Sequence, residues 1–224
     1  YTPANDCEAL KALVAEHDDI AAIMFELVQG EGGVMPLERA FVDCMAELAA
    51  EKDILLVCDE VQTGNGRTGS LYAWQQYGFT PDIMSTAKGL GGGLPIGACL
   101  FGEKTENTLT PGTHGSTFGG SPAVCAGALS ILGRIDEALL AQVRAKSEYL
   151  FSAFEGKPGI EQVSGLGLMI GLKTAKPAAE VVAKCMEQGV LVLTAHGKVR
   201  LLPALNIPME LVKKAAEVII AACA

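Results

Sequence analysis

Residues 54–60, ILLVCDE, constrain the fold of this chain more than any other stretch. Five apolar residues run without polar alternation and close in two acids. A run of this kind reads as a parallel strand buried within a sheet that helices cover. Parallel neighbours need long crossover connections, and the flanking pattern supplies them. Asp6 is placed to cap a helix over residues 7–17, AAIMFELV reads as a buried strand, and helical spacing runs from about residue 36 to 51. Helix, strand, helix, strand is the order of an α/β architecture. Ligands of such sheets gather outside the carboxyl ends of the strands. Two segments fall there: the glycine-rich turn QGEGG at 29–33 and the acidic strand end at 59–62.

Further along, the pattern predicts a short helix around LYAWQQYG, a strand at DIMST, a glycine-rich loop containing Lys88, and a strand over 96–101. Pro122 opens a helical stretch, and a second helix follows over about 136–154. From residue 159 short strands (EQVSG, GLMIGLK, VLVLTA, KVRLLP) alternate with helices near 177–188 and 208–223. This change of pattern divides the chain into 1–133, part of a larger α/β domain with a mainly parallel sheet, and 134–224, a smaller C-terminal α+β domain.

Half of the 224 residues are hydrophobic and 19% are charged, the balance of a chain with a real core. A formal net charge of −9 argues against a nucleic-acid or anionic-membrane surface, because both need a basic face. The seven cysteines form no CxxC, and His17, His114 and His196 are scattered, so no zinc spacing appears and no metal is expected. Cysteines set in apolar runs such as LLVCDE and IGACLF read as reduced, buried thiols, which points to a cytoplasmic protein. The first residues, YTPANDCEAL, lack the basic and apolar regions of a signal peptide, and a start at Tyr is compatible with a truncated or processed product.

Three strand-end elements bear on chemistry. Asp59-Glu60 after an apolar strand also suits the Mg²⁺-holding acid of a P-loop ATPase, but that reading requires GxxxxGK[ST], which is absent. GNGRTG at 64–69 is a literal GxGxxG, yet EVQT separates it from the strand, whereas a dinucleotide fingerprint begins immediately after one. Lys88, in STAKGLGGGLPIGA, is by pattern alone either a lysine of an anion-binding loop or a chemical group. A lysine that forms Schiff bases must reach a neutral form. A ring cofactor that serves as an electron sink also needs a carboxylate to keep its pyridinium nitrogen protonated. Asp59, ending the neighbouring strand, is the candidate for that carboxylate.

Taken together, ELVQGEGG, LLVCDEVQTGNGRTG, DIMSTAKGLGGGLPIGA, HGSTFGGSP and VRLLPALNI resemble, in order and spacing, the class III (ornithine-type) aminotransferases, and most closely the acetylornithine type within them. The likeness covers nearly the whole chain and corresponds to the C-terminal portion of the family. It implies a partial fold-type I pyridoxal-phosphate-dependent transferase, active on amino-acid and 2-oxo-acid substrates. N-acetylornithine or a similar ω-amino compound would be the donor and 2-oxoglutarate the acceptor, in arginine biosynthesis. Ornithine or 4-aminobutyrate transamination, or a non-catalytic fragment or interaction module, are the alternatives.

By the same resemblance, Lys88 would carry pyridoxal 5′-phosphate as a Schiff base. Asp59 would pair with the pyridinium nitrogen, Val61 would pack on a ring face, and Gln62 would bond the 3′-oxygen side. Thr117 would reach the cofactor phosphate of a second subunit, so a homodimer with shared active sites is implied. Arg200 would receive a substrate carboxylate, Glu31 would pair with Arg200 when the other substrate is bound, and Ser116 would join them in substrate binding. Gly89, Gly91, Gly92 and Gly93 are expected to let the backbone pass close to a flat cofactor. Two features depart from the family pattern: Leu27 stands where the family has proline, and the family's N-terminal portion, with its serine–glycine phosphate loop, has no counterpart here.

Overall fold

The computed structural model describes all residues, Tyr1–Ala224. In chain order the elements are α1 (Cys7–Glu16), β1 (Ala22–Phe25), β2 (Val28–Gln29), β3 (Met35–Pro36), α2 (Arg39–Lys52), β4 (Leu55–Asp59), β5 (Ile83–Thr86), β6 (Ala98–Phe101) and α3 (Pro122–Leu132). There follow α4 (Glu137–Phe154), β7 (Ile160–Leu166), β8 (Met169–Thr174), α5 (Ala178–Glu187), β9 (Leu193–Ala195), β10 (Lys198–Leu201) and α6 (Met209–Cys223). No helix is long and apolar enough to cross a membrane.

The chain divides into two compact units. The first comprises Tyr1–Leu27, Leu37–Asn65 and Tyr72–Arg134, and the second Val28–Pro36, Gly66–Leu71 and Ile135–Ala224. Two short segments from within residues 1–133 therefore go with the second unit, which a contiguous division of the sequence does not capture.

In the first unit, β1, β4, β5 and β6 form one sheet in that order. The β1–β4 and β4–β5 pairs are parallel and β6 runs antiparallel at the edge, so the sheet is mixed and mostly parallel. Helix α1 starts where expected because the Asp6 carboxylate accepts the Ala9 N–H at 2.9 Å. Helix α2 starts later than its apolar spacing suggests, since Met35 and Pro36 are taken up in pairing with Gln29 and Val28. One sheet face, carrying Ile23, Phe25, Leu56 and Cys58, packs against Leu10 and Val14 of α1 and Phe41, Val42 and Met45 of α2. The other face is less covered: Leu55 and Val57 are half-buried and Met24 is exposed. The ILLVCDE strand is thus fully buried on one face only. All four residues of β6 are exposed, so Cys99 lies open to solvent, contrary to the expectation of buried thiols. That expectation came from its apolar neighbours, which an edge strand does not bury.

The second unit is α+β. Its sheet runs β7-β8-β10-β9 with antiparallel pairing throughout. Val143 and Phe154 of α4, Val181 and Cys185 of α5, and Val212 and Ile219 of α6 pack on Ile170, Leu172, Val199 and Leu201. On the opposite sheet face Gly171 leaves room for the β2–β3 segment, whose Val34 Cβ would stand 2.9 Å from a Cβ at residue 171.

Candidate active site

The two acids that close β4 take different roles because successive strand residues face opposite sides. Glu60 is fully buried. It accepts the Thr63 hydroxyl at 2.5 Å and the Trp74 N–H at 2.8 Å, closing the loop between those residues. Burial pushes its carboxyl above the usual range, against the pull of these hydrogen bonds. Asp59 is half-buried and is held through one oxygen alone: Oδ1 accepts the Val61 N–H at 2.9 Å and the Ser85 hydroxyl at 3.0 Å. Its second oxygen remains to receive a cationic N–H, as a pyridinium partner requires.

Ser85 lies opposite Asp59 in the β4–β5 register, and three residues later comes Lys88. Lys88 adopts φ 48°, a left-handed conformation uncommon for a side-chain-bearing residue. It opens a short 3₁₀ turn, Lys88–Gly91, is exposed, and forms no ion pair or hydrogen bond. Strained backbone of this kind persists only where its surroundings fix it. Asn65 does so here: its Nδ2 donates to Thr86 Oγ1 at 3.0 Å and to the carbonyl of Ala87, directly before Lys88, at 3.1 Å.

Two glycines of the loop are required by packing within the chain itself. A Cβ on Gly91 would stand 2.9 Å from Ile96, and one on Gly92 would stand 2.7 Å from Ile131 of α3. Close packing against the chain's own side chains accounts for them, together with the φ of 60° at Gly92. The GNGRTG segment forms turns and leads only into a four-residue 3₁₀ helix, Ala73–Gln76, not into an α-helix, so the dinucleotide reading has no structural counterpart.

The predicted site residues fall in both units. Asp59, Val61, Gln62, Lys88, Ser116 and Thr117 belong to the first, Glu31 and Arg200 to the second. Val61 and Gln62 follow Asp59 directly and are half-buried. Ser116 and Thr117 lie in an exposed segment. Ser116 Oγ accepts the Gly119 N–H at 3.0 Å, and no hydrogen bond links either residue to Asp59 or Lys88.

In the second unit Arg200 sits on β10, 8% exposed, and donates through an Nη to Glu31 Oε1 at 2.6 Å. Glu31 is carried by the turn between β2 and β3, its side chain 75% exposed. Arg200 Nε is buried with no partner, leaving a donor for an incoming carboxylate. The buried Lys198 and the half-buried Arg67 were not singled out from the sequence. Lys198 shares the face of Arg200, with Nζ 2.9 Å from Ser164 Oγ and 3.2 Å from Met35 Sδ, and burial followed by the charge of Lys173 lowers its pKa. Arg67 donates to the carbonyls of Pro203 at 2.5 Å and Leu168 at 3.2 Å, and burial lowers it to about 10. The alternation of Lys198 and Arg200 on one strand was a readable signal for the first. Nothing local marked Arg67, whose partners lie more than a hundred residues away.

An acid and a lysine thus stand at adjacent parallel strand ends of the first unit, and the second unit buries an arginine against a glutamate. Residues 2–223 match the family model for class-III aminotransferases, and the chain belongs to that family. It is 46% identical over 218 residues to acetylornithine aminotransferase of Haemophilus ducreyi, covering 96% of this chain and 55% of that protein. Against acetylornithine aminotransferase of Bacillus subtilis it is 40% identical over 220 residues, covering 96% and 57%. Among solved structures, N-acetylornithine aminotransferase from Stenotrophomonas maltophilia superposes with a TM-score of 0.89 at 37% identity, covering 99% of this chain and 61% of that one. Ornithine delta-aminotransferase of Plasmodium falciparum gives 0.87 at 33%, covering 98% and 60%. The chain spans about half the length of the curated relatives it matches.

Proposed function

We propose that this chain is the C-terminal portion of a pyridoxal-phosphate-dependent acetylornithine aminotransferase of the cytoplasm. The full-length protein would move an amino group between N-acetylornithine, or a similar ω-amino substrate, and 2-oxoglutarate, in arginine biosynthesis. The observation that carries this reading is Lys88. It is held at φ 48° beyond a strand end, bears an ammonium with no partner, and lies one strand from a carboxylate with an open oxygen.

The residues present fit the cofactor. Asp59 Oδ2 would hold a protonated ring nitrogen, Val61 would lie against a ring face, and Gln62 would hydrogen-bond near the 3′-oxygen. Lys88 would hold the aldehyde carbon. Thr117 would meet the phosphate bound by a second subunit of a homodimer. The bound cofactor supplies an electron sink that lets a substrate Cα–H bond ionise. Lys88 Nζ, once displaced by substrate, would take that proton and return it at the neighbouring carbon.

Arg200 would clamp the carboxylate of glutamate or 2-oxoglutarate, with Ser116 assisting in substrate binding. Glu31 would neutralise Arg200 when the other substrate lacks a carboxylate there, because a buried guanidinium left unpaired is costly. Because the chain spans about half of its relatives, turnover is assigned to the full-length protein, and the 224-residue piece alone is expected to be inactive.

The test is the absorbance of bound pyridoxal phosphate in the full-length protein, compared with a Lys88→Ala variant. Loss of that band in the variant supports the assignment, and a full-length protein that takes up no cofactor overturns it. Parallel turnover of N-acetylornithine, ornithine and 4-aminobutyrate decides the donor. Preference for either of the last two would replace the acetylornithine assignment and leave the family chemistry standing.

A further inference from the structure

The two helices that open the first unit carry one cysteine each on facing sides. Cys7 is the first residue of α1, and Cys44 lies in the middle of α2. The Cys7 Sγ stands 3.9 Å from the carbonyl oxygen of Ala40, one helical turn before Cys44. Helical side chains lean towards the N-terminus and cover the preceding turn, so the Cys44 side chain covers the spot that Cys7 approaches. Cys44 interacts with Cys7 across this contact, and Lys11, one turn along α1, interacts with both. Both cysteines are half-buried and free, close enough to solvent for a small reagent to enter.

A second neighbouring pair provides a contrast. Cys185 and Cys223 interact electrostatically in the second unit, but both are buried in its core and closed to solvent reagents. Cys99 is exposed. Proximity and access coincide at Cys7 and Cys44.

We propose that Cys7 and Cys44 are a redox-active dithiol that closes to a disulfide, tying α1 to α2, on exposure to a small-molecule disulfide. One protein thiolate attacks a sulfur of the small disulfide, forms a mixed disulfide and expels the first small thiolate. The other protein thiolate then attacks the protein sulfur of that mixed disulfide and expels the second. Two protein thiols lose two protons and two electrons, and the small disulfide is reduced to two thiols. The Lys11 ammonium favours the Cys44 thiolate. Burial, then the neighbouring Cys7 thiol, holds the Cys44 thiol above its usual value, so Cys44 rests as the protonated thiol at neutral pH, and mildly alkaline conditions speed the exchange. Excess reduced thiol reverses the exchange, which makes the link a switch in a reducing compartment.

The test is incubation of the chain with oxidised glutathione in mildly alkaline buffer, alkylation of the remaining thiols, and peptide mass spectrometry. The expected product is a Cys7–Cys44 cross-linked peptide, lighter by two hydrogens and restored by reductant. Cys44→Ser should instead accumulate the mixed disulfide on Cys7, and Cys7→Ser should accumulate it on Cys44. Three outcomes overturn the proposal: both thiols still free once Cys99 has been converted, separate stable adducts on both in the unaltered chain, or a Cys185–Cys223 link arising as fast, which would show linkage through the unfolded chain.

Discussion

Asn65→Asp replaces the donor Nδ2 with oxygen and leaves the shape of the side chain almost unchanged. Aspartate tolerates the φ of 55° at this position much as asparagine does, so backbone strain is unaltered. The site is nearly closed to water, Asn65 being 6% exposed. Two acceptors face the substituted atom, Thr86 Oγ1 at 3.0 Å and the Ala87 carbonyl at 3.1 Å. The threonine hydroxyl can rotate to donate, whereas the carbonyl cannot. The ionised variant therefore loses one hydrogen bond outright and buries a charge with no cation, together about 3 kcal/mol. For a chain of this size that corresponds to a drop of roughly 6–12 °C in Tm.

The substituted carboxyl, when protonated, could donate to the Ala87 carbonyl and recover most of this loss. Burial raises its folded pKa above the unfolded value of about 3.9. Stability is then present below the unfolded pKa and lost as pH rises through the folded one. Urea denaturation of the variant and the original chain at about pH 3.5, below that unfolded value, and at about pH 8 measures the difference. We expect a deficit of under about 1 kcal/mol at the lower pH and about 3 kcal/mol at the higher. An equal deficit at both, or one below about 1 kcal/mol at the higher pH, would refute the view that Asn65 holds the Lys88 loop through its two donor bonds.

Three further outcomes follow from the geometry. Glu60 carries a folded pKa raised by burial, so its contribution to stability falls as pH climbs above the unfolded value of about 4.5; Glu60→Gln should remove that part of the slope in denaturation measured across pH, and an unchanged slope would contradict it. Gly167→Ala drives a Cβ into the Thr68 backbone at φ 62°, where nothing can yield cheaply, and should cost about 3 kcal/mol by urea midpoint. In the full-length protein, Glu31→Gln removes the group that competes with a substrate carboxylate for Arg200. Because Glu31 is largely exposed the pair is worth only about 1 kcal/mol, so KM for 2-oxoglutarate should fall about fivefold, and a rise would count against the gate.

The sequence by itself determined the parts governed by local rules. The Asp6 cap, the apolar run ending at Asp59 and the alternation of strands with helices follow from neighbour spacing, and together they indicate an α/β sheet with its site at the strand ends. Five motifs in order carried the family.

Tertiary structure decided what depends on residues distant in sequence. Which acid of the Asp59–Glu60 pair is free for chemistry rests on Thr63, Trp74 and Ser85 closing around them. The burial of Arg200 beside Glu31 spans 169 positions. The left-handed backbone of Lys88 rests against an Asn65 that belongs to a misleading GxGxxG. Sequence periodicity records which face a side chain takes within its own element. Hydrogen-bond partners and packing neighbours arise only when separate elements meet, and those contacts hold Lys88 in a strained, unpaired position.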